Sequence, residues 1–413
     1  MQQVYAPPPG PPPSTTIYPP PPGLPPPSAR WRPPPLLSAP FPLLSDSQVH
    51  SLSTQGFTTF PISDRPSLHD AASALFNLSR AFFAQPQPEK EAFGIQDANV
   101  QGSEEGWSRV VGEKELLTLR RLGNTCPPSI EETGKKLWHE CGQLMQEMTR
   151  AIEISLAMNP GALNGIVGPE CELPTEQRVE TLLRMFRYER RDEGVDNESA
   201  RVAESSVNGT KQVNESLIGK GRLVAEPHRD LGILSLVIGS SPGLEVVDGT
   251  IGGWIPVETP PYAHPASSTS NLTATILVGE TLTHLTNGRY APGRHRVFVP
   301  SVSPEASNLP PKDDSHFRFS LVFALRPHGP AVISTQALTT CVTGAFARPM
   351  EGIPAKKLFD AIAKSHWNIN TGQAQRQRQR QKLEGGGKHK GRQGETEGSS
   401  NVASTAVRNS YVL

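Results

Sequence analysis

The sequence predicts a mainly β protein with flanking helices, set between two terminal segments that cannot build a core. Three observations predict it. Short β-type runs broken by Gly, Pro and Asn-Gly turn signals fill the stretch from Leu182 to about Pro330, the pattern of an antiparallel sandwich or barrel. Two long segments of helical period precede them. Of the 42 prolines, 18 lie between Pro7 and Pro42, where little apolar surface is available to offset the entropy of ordering the chain.

In chain order, residues 1–44 read as a disordered, polyproline-II-prone arm, which a proline-recognising partner domain could take up. Gly56-Phe57 opens a first β-type run. Ser67 and Asp70 resemble a capping box, behind which Leu68, Ala72, Leu75, Phe82 and Phe83 fall near helical period. A second helix is expected from about Glu131 to Met158, with Leu137, Cys141, Leu144, Met148, Ile152 and Leu156 on one stripe and Pro160-Gly161 closing it. Cys141 and the methionines of that stripe read as core. The β-type runs follow: Leu231–Ile238, Gly243–Val247, Gly253–Val257, Ile276–Glu280, Leu285–Tyr290, His295–Val297 and Phe317–Phe323. Between them, 189–223, 260–272 and 301–315 are polar and read as loop insertions. A third helix is expected over Ala355–His366. Residues 371–413, with Arg376-Gln-Arg-Gln-Arg380 and Lys388-His-Lys390, read as a disordered basic tail.

Composition removes several classes of function. The chain has 40 basic and 40 acidic residues, so no bulk charge draws it to nucleic acid. Its four cysteines, Cys126, Cys141, Cys171 and Cys341, are widely spaced, which fits neither a disulfide framework nor a zinc ribbon. No apolar run is long enough for a membrane span, and no apolar signal core follows the first residues. A cytoplasmic protein is expected, with the nucleus the other compartment the basic tail would allow, and a monomer. His228-Arg-Asp-Leu231 mimics a kinase catalytic loop, but Ser235 stands where the Asn should be and no nucleotide loop accompanies it. His139-Glu140 lacks the second His of a zinc-protease helix.

The chemistry concentrates in His228, Asp230 and His295, followed by Arg318 and Ser320. Read as one strand, His228 and Asp230 would share a face. A distant second imidazole would complete a two-His, one-carboxylate set that leaves adjacent coordination positions open, as in non-haem Fe(II) oxygenases.

With these residues stand His228-x-Asp230-x-Gly232, Gly243-Leu-x-Val246, Trp254-x-Pro-Val257, Leu285-Thr-Asn-Gly-x-Tyr290, His295-Arg-Val297 and Arg318-x-Ser320. In that order they resemble the 2-oxoglutarate/Fe(II)-dependent dioxygenase superfamily, isopenicillin N synthase-like branch. Gly56-Phe57, Phe82-Phe83 before Glu89-Lys90-Glu91, and Gly106-Trp107 before Glu113-Lys114-Glu115 extend the likeness to roughly residues 45–345. The resemblance implies a double-stranded β-helix (jelly-roll) core at 178–345, an N-terminal α/β region at 45–177 and a C-terminal helical segment at 346–370. It implies Fe(II) on His228, Asp230 and His295, and 2-oxoglutarate as co-substrate on Arg318, Ser320 and Tyr188. The implied activity uses O2 to hydroxylate or desaturate a small organic metabolite, releasing succinate and CO2. Two other readings stay open: an oxidase that uses no 2-oxoglutarate, with Arg318 holding the substrate's own carboxylate, and a non-catalytic jelly-roll binding protein.

Overall fold

A computed structural model describes residues 33–94, 104–168, 171–190, 221–259, 272–301, 316–366, 371–372, 375–376 and 378–379. Two compact units divide the chain, Met1–Pro35 and Leu36–Leu413, and the second holds every element that follows. Most of the Pro-rich arm, of the three polar insertions and of the basic tail lies outside the described residues; of the first insertion, Glu189 ends β4 and 221–223 begin β5.

The N-terminal region contributes helix α1 (Asp46–Thr54), strand β1 (Phe57–Pro61), helices α2 (Pro66–Ala84) and α3 (Gln87–Glu91), strands β2 (Gly106–Val110) and β3 (Lys114–Leu119), and helices α4 (Pro128–Ser155) and α5 (Asn164–Val167). Eight strands then form the centre: β4 (Leu182–Glu189), β5 (Gly221–His228), β6 (Leu234–Gly239), β7 (Leu244–Asp248), β8 (Gly253–Pro256), β9 (Thr273–Val278), β10 (His295–Pro300) and β11 (Phe317–Leu325). Helix α6 (Glu280–Leu285) lies between β9 and β10. The C-terminal part adds β12 (Val332–Ser334), α7 (Thr335–Leu338), β13 (Glu351–Pro354) and α8 (Ala355–Ala363).

Two antiparallel sheets make the core. The major sheet runs β1-β9-β6-β11-β4-β3-β2 and the minor sheet β5-β10-β7-β8. From β4 to β11 the chain passes major, minor, major, minor, minor, major, minor, major, which is the winding of a jelly roll. Alternation along each strand divides the side chains. On β11, Phe319, Leu321, Phe323 and Leu325 join the large apolar cluster with α2 and α4, so Arg318 and Ser320 face the minor sheet. On β4, Leu183 and Met185 join the same cluster, while Phe186 and Tyr188 belong to a second one between the sheets with Leu116, Val224, Val237, Val246 and Val297. That inter-sheet space is where the metal-site candidates meet.

Helix α4 buries Leu137, Cys141, Leu144, Met148, Ile152 and Leu156, as the stripe predicts. Trp138 packs edge-on against Phe323, with centroids 5.2 Å apart. Four local expectations differ. The Ser67/Asp70 capping box does not form, because Pro66 starts α2 at its first helical position, where a missing N–H loses nothing. Leu285–Tyr290 is not a strand. It is the exit of α6, where Asn287 and Gly288 adopt positive φ (51° and 76°), so the Asn-Gly pair ends a helix rather than turning a hairpin. Residues 36–44, placed in the arm by their prolines, pack on the core: Phe41 is buried and the Leu37 N–H donates to Ser155 O at 2.9 Å. Leu36, Leu43 and Leu44 supply the apolar surface there. Arg376, assigned to the basic tail, is also buried, with partners described below.

Candidate metal centre and carboxylate anchor

His228 ends β5 and His295 begins β10, and the two are direct register partners. Their ring centroids are 4.1 Å apart. Asp230 is not on the same strand as His228, since β5 ends there. It sits in the turn before β6, so the turn rather than the pleat brings carboxylate and imidazole together. The turn is anchored from β9 and α6: the Glu280 N–H donates to Asp230 O at 2.8 Å, Thr281 Oγ1 to Leu231 O at 2.5 Å, and the Gly279 N–H to Ile233 O at 2.9 Å. Asp230 Oδ1 lies 3.8 Å from Nε2 of both His228 and His295. One ligand atom from each of the three can be taken within 4.8 Å of the others, a set able to hold a metal ion.

Their surroundings prepare them for that work. His228 Nδ1 donates to Glu226 O at 2.7 Å and His295 Nδ1 to Gly293 O at 3.1 Å. A carbonyl can only accept, so each Nδ1 carries the proton and each Nε2 lone pair points toward Asp230. Burial, and then the charge of His295, hold the His228 imidazole well below its usual range and keep it neutral, the form that ligates metal. Burial raises the Asp230 carboxyl, but the charges of His295 and His228 outweigh it and hold the group below its ordinary range.

Arg318, on β11, is fully buried beside Tyr188, its register partner on β4, with the guanidinium carbon 5.6 Å from the ring centroid. Tyr188 shares a hydrogen bond with Ser320, and burial pushes its phenol up to about 12. The Arg318 Nε donates to Ser241 O at 3.0 Å, and Nη2 to both carboxylate oxygens of Glu258 at 3.0 and 3.1 Å. Nη1 is buried with no hydrogen-bond partner among the described residues. The carboxylate fork expected at Arg318 is therefore half taken, and one N–H arm stands open. An orphaned guanidinium nitrogen between the sheets fits a ligand carboxylate, because leaving such a donor buried and unpaired costs about 1–3 kcal/mol or more.

Several charged residues of this space escape sequence reasoning. Lys114 is 1% exposed and pairs in register with Tyr188. Burial, then the nearby charge of Arg376, lower its ammonium to about 7. Arg376 bonds Glu113 at 3.0 Å and Glu226 at 3.3 Å, two residues before His228. Arg184 points inward from β4, donating from Nε to Thr118 Oγ1 at 2.7 Å and lying 3.5 Å from Glu104, which also pairs with Arg326 at 2.5 Å. The available signal was a charged residue at an inward position of an otherwise apolar strand, as in Leu182-Leu-Arg-Met-Phe-Arg-Tyr188. His284 is exposed on α6.

No protein-family description matches the chain, and no curated protein matches it by sequence. Solved structures do match in fold. A full-length Neurospora crassa protein in complex with alpha-KG is 22% identical, over 77% of this chain and 88% of that one, with a TM-score of 0.52. A putative 2OG-Fe(II) oxygenase family protein of Caulobacter crescentus is 20% identical over 78% and 98%, at 0.51. JOX2 in complex with 2OG, Fe and JA is 20% identical over 80% and 83%, at 0.50. The chain thus has the fold of the 2-oxoglutarate/Fe(II) oxygenases.

Proposed function

We propose that this protein is an Fe(II)- and 2-oxoglutarate-dependent dioxygenase that hydroxylates or desaturates a small organic metabolite with release of succinate and CO2. The observation that carries the reading is that a His228–Asp230–His295 ligand set and a buried guanidinium with an unpaired N–H both lie between the two sheets. The fold neighbours support it: the Neurospora crassa protein is bound to alpha-KG, and JOX2 to 2OG and Fe.

In this reading His228, Asp230 and His295 hold Fe(II), and the two backbone carbonyls behind the imidazoles fix which nitrogens face it. Arg318 Nη1, with the Ser320 and Tyr188 hydroxyls, receives the distal carboxylate of 2-oxoglutarate. When bound, metal and co-substrate supply an oxygen-dependent oxidative decarboxylation that drives oxidation of a substrate C–H bond. The chain's own contribution is placement: Phe186, Leu116, Val224 and Val237 keep the space apolar, and Arg184 gives it a charged group.

The test is an oxygen-consumption assay over a panel of small metabolites, with succinate measured in parallel. Succinate formed in proportion to oxygen supports the reading. Oxygen consumed with substrate but without succinate or any need for 2-oxoglutarate favours the oxidase, in which Arg318 binds the substrate's own carboxylate.

A further inference from the structure

Glu258 follows strand β8 of the minor sheet, yet its carboxylate reaches the inner wall of the major sheet. The register shows this. Gly239 on β6 is the direct partner of Ser320, so both share the inward face. A Cβ at Gly239 would lie 2.2 Å from Glu258 Oε1 and 2.7 Å from Arg318 Nη2. Glycine at 239 therefore makes room for an ion pair inside the barrel. The pair is buried on both sides, with Arg318 0% and Glu258 8% exposed. The second carboxylate oxygen also accepts from the Leu244 N–H at 2.8 Å.

We infer that Glu258 is an internal competitor for the co-substrate anchor: its carboxylate neutralises Arg318 in the co-substrate-free protein and weakens binding of any further carboxylate there. This rests on the proposed 2-oxoglutarate reading. Arg318 carries one positive charge, and Glu258 already takes Nη2. An incoming distal carboxylate meets only Nη1, so it binds through one arm instead of the fork. It also places a second negative charge beside one buried guanidinium. Two carboxylates about 5 Å apart at an effective dielectric near 20 repel strongly enough to change affinity by on the order of a hundredfold. Glu258 thereby sets the working range of co-substrate concentration, acting through Arg318 as a positioning residue.

The experiment is an oxygen-free titration of 2-oxoglutarate into the Fe(II)-loaded full chain, followed by the visible charge-transfer band, for wild type, Glu258→Gln and Glu258→Ala. Glu258→Gln keeps an acceptor for Nη2 and removes the charge. It should lower the apparent Kd for 2-oxoglutarate by about tenfold or more, with Fe(II) affinity unchanged. The distal-amide analogue 2-oxoglutaramate carries no distal charge, so its Kd should move by less than about twofold, a contrast that a merely structural change would not produce. Glu258→Ala should tighten 2-oxoglutarate in the same direction. If Glu258→Gln does not fold, wild type still decides: it should prefer 2-oxoglutarate over the amide by less than about tenfold. Equal or weaker binding in the variants, an equal gain for the amide, or a wild-type preference above about tenfold overturns the inference while the wild-type band upholds the proposed function. Absence of any band in iron-loaded wild type and variants alike removes both.

Discussion

Replacing Arg318 alone, and replacing it together with Glu258, should affect stability very differently and co-substrate binding alike. Arg318→Met leaves the Glu258 carboxylate at 8% exposure, with the Leu244 N–H but without its guanidinium. Breaking a buried pair on one side costs about 3–5 kcal/mol, because the remaining charge is uncompensated. Against a total stability of about 5–15 kcal/mol, that loss is enough to unfold a sizeable fraction of a marginal domain. Arg318→Met with Glu258→Gln removes both charges, and its deficit should shrink to about 1 kcal/mol, since a buried pair and an uncharged, well-packed substitute are often near equal. Urea unfolding of the metal-free proteins at pH 7 measures both. Both variants should lose 2-oxoglutarate affinity by on the order of a hundredfold or more, read from the charge-transfer titration. The reasoning is refuted if the double variant is as unstable as the single one, if the single change costs under about 1 kcal/mol, or if the double variant binds 2-oxoglutarate like wild type.

Changing His295 to Ala should abolish Fe(II) binding and turnover while the unfolding free energy of the metal-free protein stays within about 1 kcal/mol, because the lost side chain is a ligand and not packing; iron content equal to wild type would remove His295 from the site. Burial holds the Lys114 ammonium at about 7, against an ordinary value of 10.5. Between those values the unfolded chain carries a proton that the folded chain has shed, so stability should rise as pH climbs through that window, and the full penalty applies below it. Lys114→Met should therefore stabilise the metal-free protein most at about pH 7 and below and flatten the rise above, and urea midpoints that keep the wild-type slope would contradict this. A chain cut to residues 36–379 should retain iron binding and stability, whereas one cut to 45–371 should be less stable by a few kcal/mol because it loses Phe41, the Leu37–Ser155 bond and the Arg376 ion pairs; equal melting of the two would place 36–44 and 376 outside the folded unit.

The parts of the fold written as local period were legible. The α4 stripe and the runs that became β7, β8, β10 and β11 stand close to their expected places, and His228, Asp230 and His295 meet as one group, although Asp230 lies in a turn and not on the strand of His228. Legibility failed where one signal has two structural uses. Asn287-Gly288 offers a left-handed turn, and such a turn closes a hairpin or a helix equally well; here both residues take positive φ at the exit of α6. It failed again where composition was averaged: the prolines up to Pro42 hid the leucines and Phe41 that pack on the core.

The charged interior was illegible for a different reason. Whether Lys114 or Arg184 faces the helices or the inter-sheet space is a question of strand parity, and parity becomes certain only when neighbouring strands fix the register. Glu258 lies beyond parity altogether. It is at the end of a minor-sheet strand, and its meaning comes from Gly239 across the barrel, whose missing side chain leaves space for the carboxylate on Arg318. A motif search finds Arg318 and Ser320 because they are two apart in sequence. It cannot find the group that shares the guanidinium with them, 60 residues upstream. The affinity of this anchor is therefore a property of the folded pair, and the pair, rather than Arg318 alone, is the unit on which binding of a carboxylate depends.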